Sequence, residues 1–227
     1  MVRPALPRLG LADSQRHGPG CELLLVEGES AAGAASAVRA PGTQAVLPLQ
    51  GKPLNAWRAS PARVAAFPWY VQLADALGLP SPTVGDALDP AALRFERLVL
   101  LFDPDADGIH IGALVLLYLQ RFAPALLAQE RVWMVRAPMA GLRVAARDTG
   151  ETEDVWAYTP EQARQLRERA AAQAERWVVL RDWAFRGLAS LPPDVLRATC
   201  VDPATRHAAV VTPAQVQAVI DVFGGAH

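Results

Sequence analysis

Lysine is almost missing from this sequence. Lys52 is the only lysine among 22 basic residues, and 23 acidic residues bring the formal net charge to −1. Domains that bind nucleic acid through their own surface usually carry a clear excess of positive charge. The composition therefore excludes a broadly basic surface, and any contact with nucleic acid must be local, assisted by a metal ion or shared with a partner.

Cysteine and long apolar runs are also scarce. Cys21 and Cys200 are too few and too far apart for a disulfide framework or a cysteine-rich zinc site. The first twenty residues contain no apolar segment typical of a secretion signal, and the apolar run at residues 113–119 is too short to cross a bilayer. We therefore expect a cytoplasmic protein with no membrane partner. With 52% hydrophobic residues, the chain can still bury a substantial core.

Short apolar runs alternate with helical patterns through the first part of the chain. After an extended lead-in at residues 1–20, strands are predicted at residues 23–26, 44–49, 98–102 and 132–135. Helical patterns lie between them, at an alanine-rich stretch after Gly28, at residues 60–78 and at residues 111–122. This alternation predicts an α/β domain at residues 21–145, with a mostly parallel, Rossmann-like sheet covered by helices on both faces.

The pattern changes near residue 146, where the chain becomes polar and acidic. Two sequences typical of helix starts follow, Thr159 with Gln162 and Thr212 with Gln215, each with proline at the first helical position. A strand is predicted between them, at residues 177–183. Residues 146–227 are therefore expected to form a small α+β C-terminal tail region.

Three aspartates, Asp103, Asp105 and Asp107, follow the third predicted strand at every second position. Alternate residues of an extended chain face the same way, so these carboxylates repel one another unless a cation neutralises them. Glu27 ends the first strand, and in a doubly wound sheet such strand ends can meet at one crevice. Oxygen ligands in an open site favour Mg²⁺, with Mn²⁺ as a substitute. Asp103 and Asp107 would lie roughly 13 Å apart on an extended chain, so the chain must curl for one ion to reach all three.

Two other interpretations of this segment compete with a magnesium site. The spacing of the aspartates matches the first half of an EF-hand loop, but Leu114 stands where a bidentate glutamate is required. Asp105-Ala106-Asp107-Gly108 after a strand also resembles the nucleophile motif of aspartyl-phosphate phosphatases. Those enzymes need a lysine further along the chain, and none follows Lys52. Any one of these acids alone would be an ordinary solvated loop end, whereas the set together favours the metal site.

Taken in order, the motifs resemble the B subunit of the type IIA DNA topoisomerases, gyrase and topoisomerase IV. The similar segments are LPRLGLAD at residues 6–13, LVEGESAAG at 25–33, LPLQGKPLN at 47–55, DPDADGIHI at 103–111, RAPM at 136–139 and RGLA at 186–189. The resemblance implies a Toprim fold followed by a tail that corresponds to the end of the B subunit. It also implies that Glu27, Asp103, Asp105 and Asp107 are catalytic residues that hold Mg²⁺ at the scissile phosphate of DNA, while a tyrosine of a partner A subunit attacks.

The resemblance further assigns DNA contacts to Lys52, Asn55, His110 and Arg186. Lys52 is expected to contact a phosphate rather than to be a solvated loop charge. His110 is either a contact to the scissile phosphate or a packed residue at a helix start. No nucleotide-binding residue is expected in this chain, because the ATPase half of the family has no counterpart in it. Besides DNA and the A subunit, a separate ATPase subunit is therefore an expected partner.

Departures from the family pattern keep other functions open. Gln50 replaces a basic residue and Gly112 replaces an arginine, so two cations are lost. This loss favours a second hypothesis, a catalytically retired Toprim-like module that docks on topoisomerase subunits and regulates them. A third hypothesis is a stand-alone Toprim nuclease. The sequence does not choose between a gyrase-like and a topoisomerase IV-like role.

Overall fold

The computed structural model describes residues 10–79 and 93–225. The first nine residues of the expected lead-in, with part of its family-like motif, lie outside the described residues. In the rest of the lead-in, Ala12 forms an antiparallel bridge with Val46, and the first strand already begins at Gly18.

A five-stranded sheet forms the centre of the fold. The elements that build its parallel part are β1 Gly18–Glu27, α1 Gly28–Val38, β2 Gln44–Leu49, α2 Pro61–Ala66, α3 Pro68–Leu77, β3 Phe95–Leu101, α4 Ala106–Phe122, α5 Pro124–Ala128 and β4 Val132–Val135. The strand order is β2-β1-β3-β4-β8, where β8 is the tail strand Ala208–Val210, and only this last strand runs antiparallel to its neighbour. The predicted α/β class and mostly parallel sheet are thus confirmed.

The two faces of this sheet bury alternate residues of the same strands. Leu23 and Leu25 of β1 lie in the cluster that includes residues of α3 and α4, whereas Leu24 and Val26 lie in the cluster that includes residues of α1. Successive side chains of a strand point to opposite faces, so apolar strands without polar alternation require cover on both sides. Helices on both faces supply that cover.

The tail region builds a second, smaller sheet and then returns to the first. Its elements are β5 Ala140–Ala146, β6 Thr152–Ala157, α6 Pro160–Ala172, β7 Trp177–Ala184, α7 Pro193–Leu196, β8 Ala208–Val210 and α8 Pro213–Val219. The strands β6-β5-β7 are antiparallel, and α6 packs on this sheet through Ala163. The chain enters the second sheet at Ala140, before the boundary expected at residue 145. Because β8 pairs with β4, the tail also completes the edge of the first sheet.

A buried ion pair attaches the tail to the centre of the first sheet. The carboxylate of Glu22 on β1 accepts two hydrogen bonds from Arg206, at 2.8 and 2.7 Å, and the two side chains are only 3% and 2% exposed. Gln44 donates to the same carboxylate at 3.0 Å and to the carbonyl of Val201 at 2.9 Å. Buried charges are tolerated when they are paired and hydrogen-bonded in this way.

Both predicted helix starts of the tail are confirmed. The Thr159 hydroxyl accepts from the N–H of Gln162 at 3.1 Å, and the Thr212 hydroxyl accepts from the N–H of Gln215 at 3.3 Å. In each case a side-chain oxygen satisfies an N–H that the first helical turn leaves unpaired. Within the described ranges, no helix is both long and apolar enough to cross a membrane.

Candidate functional site

Glu27 and the three aspartates lie at the edge where β1 and β3 end. The two strands are parallel neighbours, with Val26 opposite Leu101, so Glu27 and the segment that begins at Asp103 leave the sheet side by side. Gly28 begins α1 with φ +74°, a left-handed backbone that favours glycine. The structure therefore brings Glu27 and Asp103 together at the carboxyl ends of parallel strands.

The chain curls sharply between Asp103 and the first turn of α4. The Asp105 carboxylate caps this helix by accepting from the N–H of Gly108 at 2.8 Å, so Asp107 lies in the first turn. A β-carbon at Gly108 would lie 2.1 Å from the carbonyl oxygen of Asp103. Only glycine permits this close backbone approach. The extended arrangement of alternating aspartates is thus replaced by a tight turn.

Mutual repulsion and burial raise the pKa of two of the acids. Burial is the largest cause for Glu27, and the negative charges of Asp103, Asp105 and Asp107 raise its pKa further, against a smaller opposing effect of Lys52. Burial also raises the pKa of Asp103, which a hydrogen bond from the backbone of Leu188 partly offsets. Among the described residues, no group donates a hydrogen bond to the buried Oε2 of Glu27. A cation at this edge would relieve both effects.

Each aspartate has a local partner of its own. Asp103 accepts from the N–H of Leu188 at 2.8 Å, Asp105 caps α4, and Asp107 pairs with the ammonium of Lys52 at 2.7 Å. Within residues 10–79 and 93–225, no three histidine, cysteine, aspartate or glutamate side chains are grouped so that they could hold a metal ion as they stand. The donors are nevertheless all oxygens, and Glu27 has one oxygen unpaired, so the set fits a hard divalent cation. Glu27, Asp103 and Asp105 are the residues that could hold it.

Lys52 lies on a loop that the core holds in place. Its ion pair with Asp107 is exposed, with 49% and 63% of the two side chains accessible. The hydrogen bond and charge of Asp107 raise the pKa of Lys52, and Lys52 in turn lowers the pKa of Asp107. Arg121 of α4 donates to the carbonyls of Ala56, Trp57 and Ala59 at 2.6, 2.9 and 2.7 Å. Sequence reasoning missed Arg121, although the only lysine or arginine in the otherwise apolar second half of α4 was a usable signal.

Asn55 and His110 are both in contact with Phe223, in the π-helical segment Ile220–Gly224 that follows α8. The Asn55 amide donates to the carbonyl of Phe223 at 3.0 Å, and its oxygen accepts from the N–H groups of Trp57 and Arg58 at 3.0 and 3.3 Å. The ring of His110 stacks on that of Phe223, with centroids 5.3 Å apart and planes inclined by 19°. The polar groups of Asn55 are therefore used in hydrogen bonds within the chain. His110 is packed against an aromatic ring near the start of α4, which agrees with the second of the two interpretations given above.

Arg186 and the two positions of lost cations have different environments. Arg186 is exposed, and the residues that follow it, Gly187 and Leu188, contact Asp103. Gln50 is exposed and donates to Glu29 at 2.9 Å. Gly112 is buried, and a β-carbon there would lie 3.5 Å from the ring of Phe102. Of the two departures, only Gln50 lies on the surface near the acidic edge.

Comparison with known proteins assigns the chain to a family. Residues 22–137 match the Toprim domain. The chain belongs to the Toprim family. This Toprim chain is 32% identical over 203 residues to the B subunit of DNA gyrase from Thermotoga maritima, covering 89% of the chain and 30% of that protein. It is 34% identical over 225 residues to the B subunit of DNA topoisomerase 4 from Pseudomonas aeruginosa, covering 97% of the chain and 33% of that protein.

These similarities confirm the resemblance to the B subunits of gyrase and topoisomerase IV. The Toprim match begins in β1 and ends at residue 137, between the two sheets. The similarity to the B subunits continues through the tail. The Toprim chain spans about a third of the length of these relatives, 30% and 33% of the two named above.

Proposed function

We propose that this chain supplies the metal-binding Toprim part of a type IIA DNA topoisomerase. In this proposal, Glu27, Asp103 and Asp105 hold a Mg²⁺ ion, or Mn²⁺ in its place, at the phosphate where DNA is cut and rejoined. The observation that carries it is the buried, unpaired Oε2 of Glu27 beside Asp103, both with raised pKa values. Carboxylates that repel one another at a strand edge are stabilised by a divalent cation.

The chemistry divides between the cation and the side chains of this chain. A bound Mg²⁺ would orient the scissile phosphate and stabilise the leaving 3′ oxygen. Glu27, at the end of β1 beside the aspartates, is proposed to exchange a proton during rejoining in addition to helping to hold the cation. Asp107 keeps the Lys52 ammonium at the same edge, where it can contact a neighbouring phosphate.

The nucleophile is proposed to come from a partner. Of the three tyrosines in the chain, Tyr70 and Tyr118 are buried and stacked, with ring centroids 4.2 Å apart, and burial raises the pKa of both. Tyr158 is half-buried against the ring of His207. None of them belongs to the acidic edge. We therefore infer that DNA, an A-type subunit with the catalytic tyrosine and an ATPase supplied elsewhere are the partners.

A cleavage assay tests this proposal directly. The chain would be mixed with a topoisomerase A subunit and supercoiled plasmid, and cleavage complexes would be trapped with detergent in Mg²⁺, Mn²⁺ or EDTA. We expect linear plasmid only with both proteins and a divalent cation, and its loss in Glu27→Gln. Glu29→Gln is the matched control, because Glu29 lies two residues after Glu27 and the substitution removes the same charge. The Glu29 carboxylate is exposed and accepts a hydrogen bond from Gln50. Equal cleavage by Glu27→Gln would contradict the proposal.

A second candidate is a regulatory module, and two features of the chain favour it. Asn55 and His110, two of the expected DNA contacts, are in contact with Phe223, and Gln50 has replaced a cation. A chain that docks on the A subunit without supporting cleavage would match this hypothesis. Nicking of plasmid by the chain without any A subunit would instead indicate a stand-alone nuclease.

A further inference from the structure

The turn after β7 reaches back over the acidic edge. Leu188, only 1% exposed, packs in the cluster that contains Ala31 and Ala35 of α1. Its N–H donates to Oδ1 of Asp103 at 2.8 Å, across 85 residues of sequence. This hydrogen bond is partly buried, and a backbone N–H that is withdrawn from water requires such a partner. A residue of the tail thus directly orients an acid of the first sheet.

Gly187 allows the backbone to pass against the same carboxylate. Its φ is +130°, and a β-carbon there would lie 2.5 Å from Oδ2 and 3.1 Å from Oδ1 of Asp103. The Ser190 hydroxyl donates to the carbonyl of Gly187 at 2.7 Å and accepts from the N–H of Arg186 at 2.9 Å, which holds the turn in shape. Any larger residue at 187 must therefore displace the Asp103 carboxylate or open the turn.

We propose that Gly187 and the N–H of Leu188 form a positioning clamp that fixes the carboxylate of Asp103 for metal binding. This inference rests on the proposed function, in which Asp103 is a ligand. The hydrogen bond from Leu188 engages Oδ1 of Asp103, so Oδ2 is the oxygen that could bind a cation. Groups that orient a metal ligand in this way contribute substantially to affinity. The tail is then a part of the metal site.

Mn²⁺ binding to the whole chain, measured by electron paramagnetic resonance, tests the clamp. Gly187→Ala should weaken Mn²⁺ binding by about tenfold or more, the effect typical of losing a group that orients a ligand. Gly150→Ala is the control, because Gly150 also has a positive φ, +72°, but no atom lies within 4 Å of its added β-carbon. It should bind Mn²⁺ as the wild type does. Hydrogen exchange at the Leu188 amide should be slow in the wild type and faster in Gly187→Ala.

The outcomes separate the clamp from the proposed function. If the wild type binds Mn²⁺ and a folded Gly187→Ala binds it equally well, the clamp is refuted and the proposed function survives. If the wild type binds no Mn²⁺, both are refuted. Should Gly187→Ala fail to fold, Ser190→Ala takes its place, since it loosens the turn without backbone strain. Unchanged Mn²⁺ affinity in Ser190→Ala would then overturn the clamp, and weaker binding with an unchanged metal-free melting temperature would support it.

Discussion

Substituting Arg206 by methionine should destabilise the chain strongly. Arg206 and Glu22 are almost fully buried, and removing the guanidinium leaves the carboxylate with Gln44 at 3.0 Å and Arg97 at 3.4 Å. Breaking a buried pair by removing one partner costs about 3–5 kcal/mol, because it leaves an uncompensated charge. We expect the lower half of that range, since Gln44 and Arg97 remain. For a chain of this size, each kcal/mol lowers the melting temperature by roughly 2–4 °C, so a loss of about 3–4 kcal/mol should lower it by about 6–16 °C.

Urea unfolding followed by circular dichroism measures this effect. Arg164→Met is the control, because Arg164 and Glu161 form a 2.7 Å pair with 64% and 57% exposed side chains, and exposed pairs contribute only about 0–1 kcal/mol. Burial raises the pKa of Glu22, but the hydrogen bonds and charge of Arg206 outweigh it and hold that pKa below its usual value of 4.5. The stabilisation is therefore present above pH 4.5 and lost as pH falls through the folded-state pKa. The reasoning is refuted if Arg206→Met costs no more than Arg164→Met at pH 7.

Three further predictions concern the acidic edge. Glu27→Gln should raise the melting temperature of the metal-free chain at pH 7. The pKa of Glu27 is raised in the folded state, so its ionisation destabilises the fold as pH rises from 4.5 through that pKa, and glutamine removes this charge. A lower melting temperature of Glu27→Gln in EDTA would contradict this. Lys52→Ala should reduce by about one the slope of the logarithm of the DNA-binding constant against the logarithm of salt concentration, whereas Lys52→Arg should keep that slope. Filter binding between about 50 and 200 mM salt measures it. Gly108→Ala should lower the free energy of unfolding in urea by roughly 1–3 kcal/mol, because the added β-carbon would lie 2.1 Å from the backbone carbonyl oxygen of Asp103. Gly33→Ala in α1 is the control and should be neutral or stabilising, because no atom lies within 4 Å of its added β-carbon.

Local patterns were sufficient to predict most of the first sheet. β2 and β4 occupy the predicted residues 44–49 and 132–135, because apolar β-prone runs bounded by turn residues carry their own signal. The meeting of Glu27 and Asp103 also followed from sequence, since the carboxyl ends of parallel strands share one edge. Both features depend only on short segments and on the general geometry of α/β sheets.

The contacts of the tail could not be predicted in the same way. Arg206 lies 184 residues from Glu22, and Leu188 lies 85 residues from Asp103, so no local periodicity links either pair. Gly112 was interpreted as a lost surface cation, yet it is buried against Phe102. The sequence pattern of a helix does not show whether a position such as 112 faces the core or the surface, because that depends on how the helix packs in the fold.

These long-range contacts make the tail and the acidic edge one physical unit. Leu188 binds Asp103, Phe223 packs against His110, and Arg206 neutralises Glu22 on the strand that ends at Glu27. Each contact spans the predicted boundary at residue 145, and each joins the tail to the first sheet or to the acidic edge at its end. A change that loosens the tail should therefore act on metal binding even when it leaves every carboxylate in place. On this argument, Arg206→Met should weaken Mn²⁺ binding as well as stability, because β1 and the turn at Leu188 would no longer be held to the same tail.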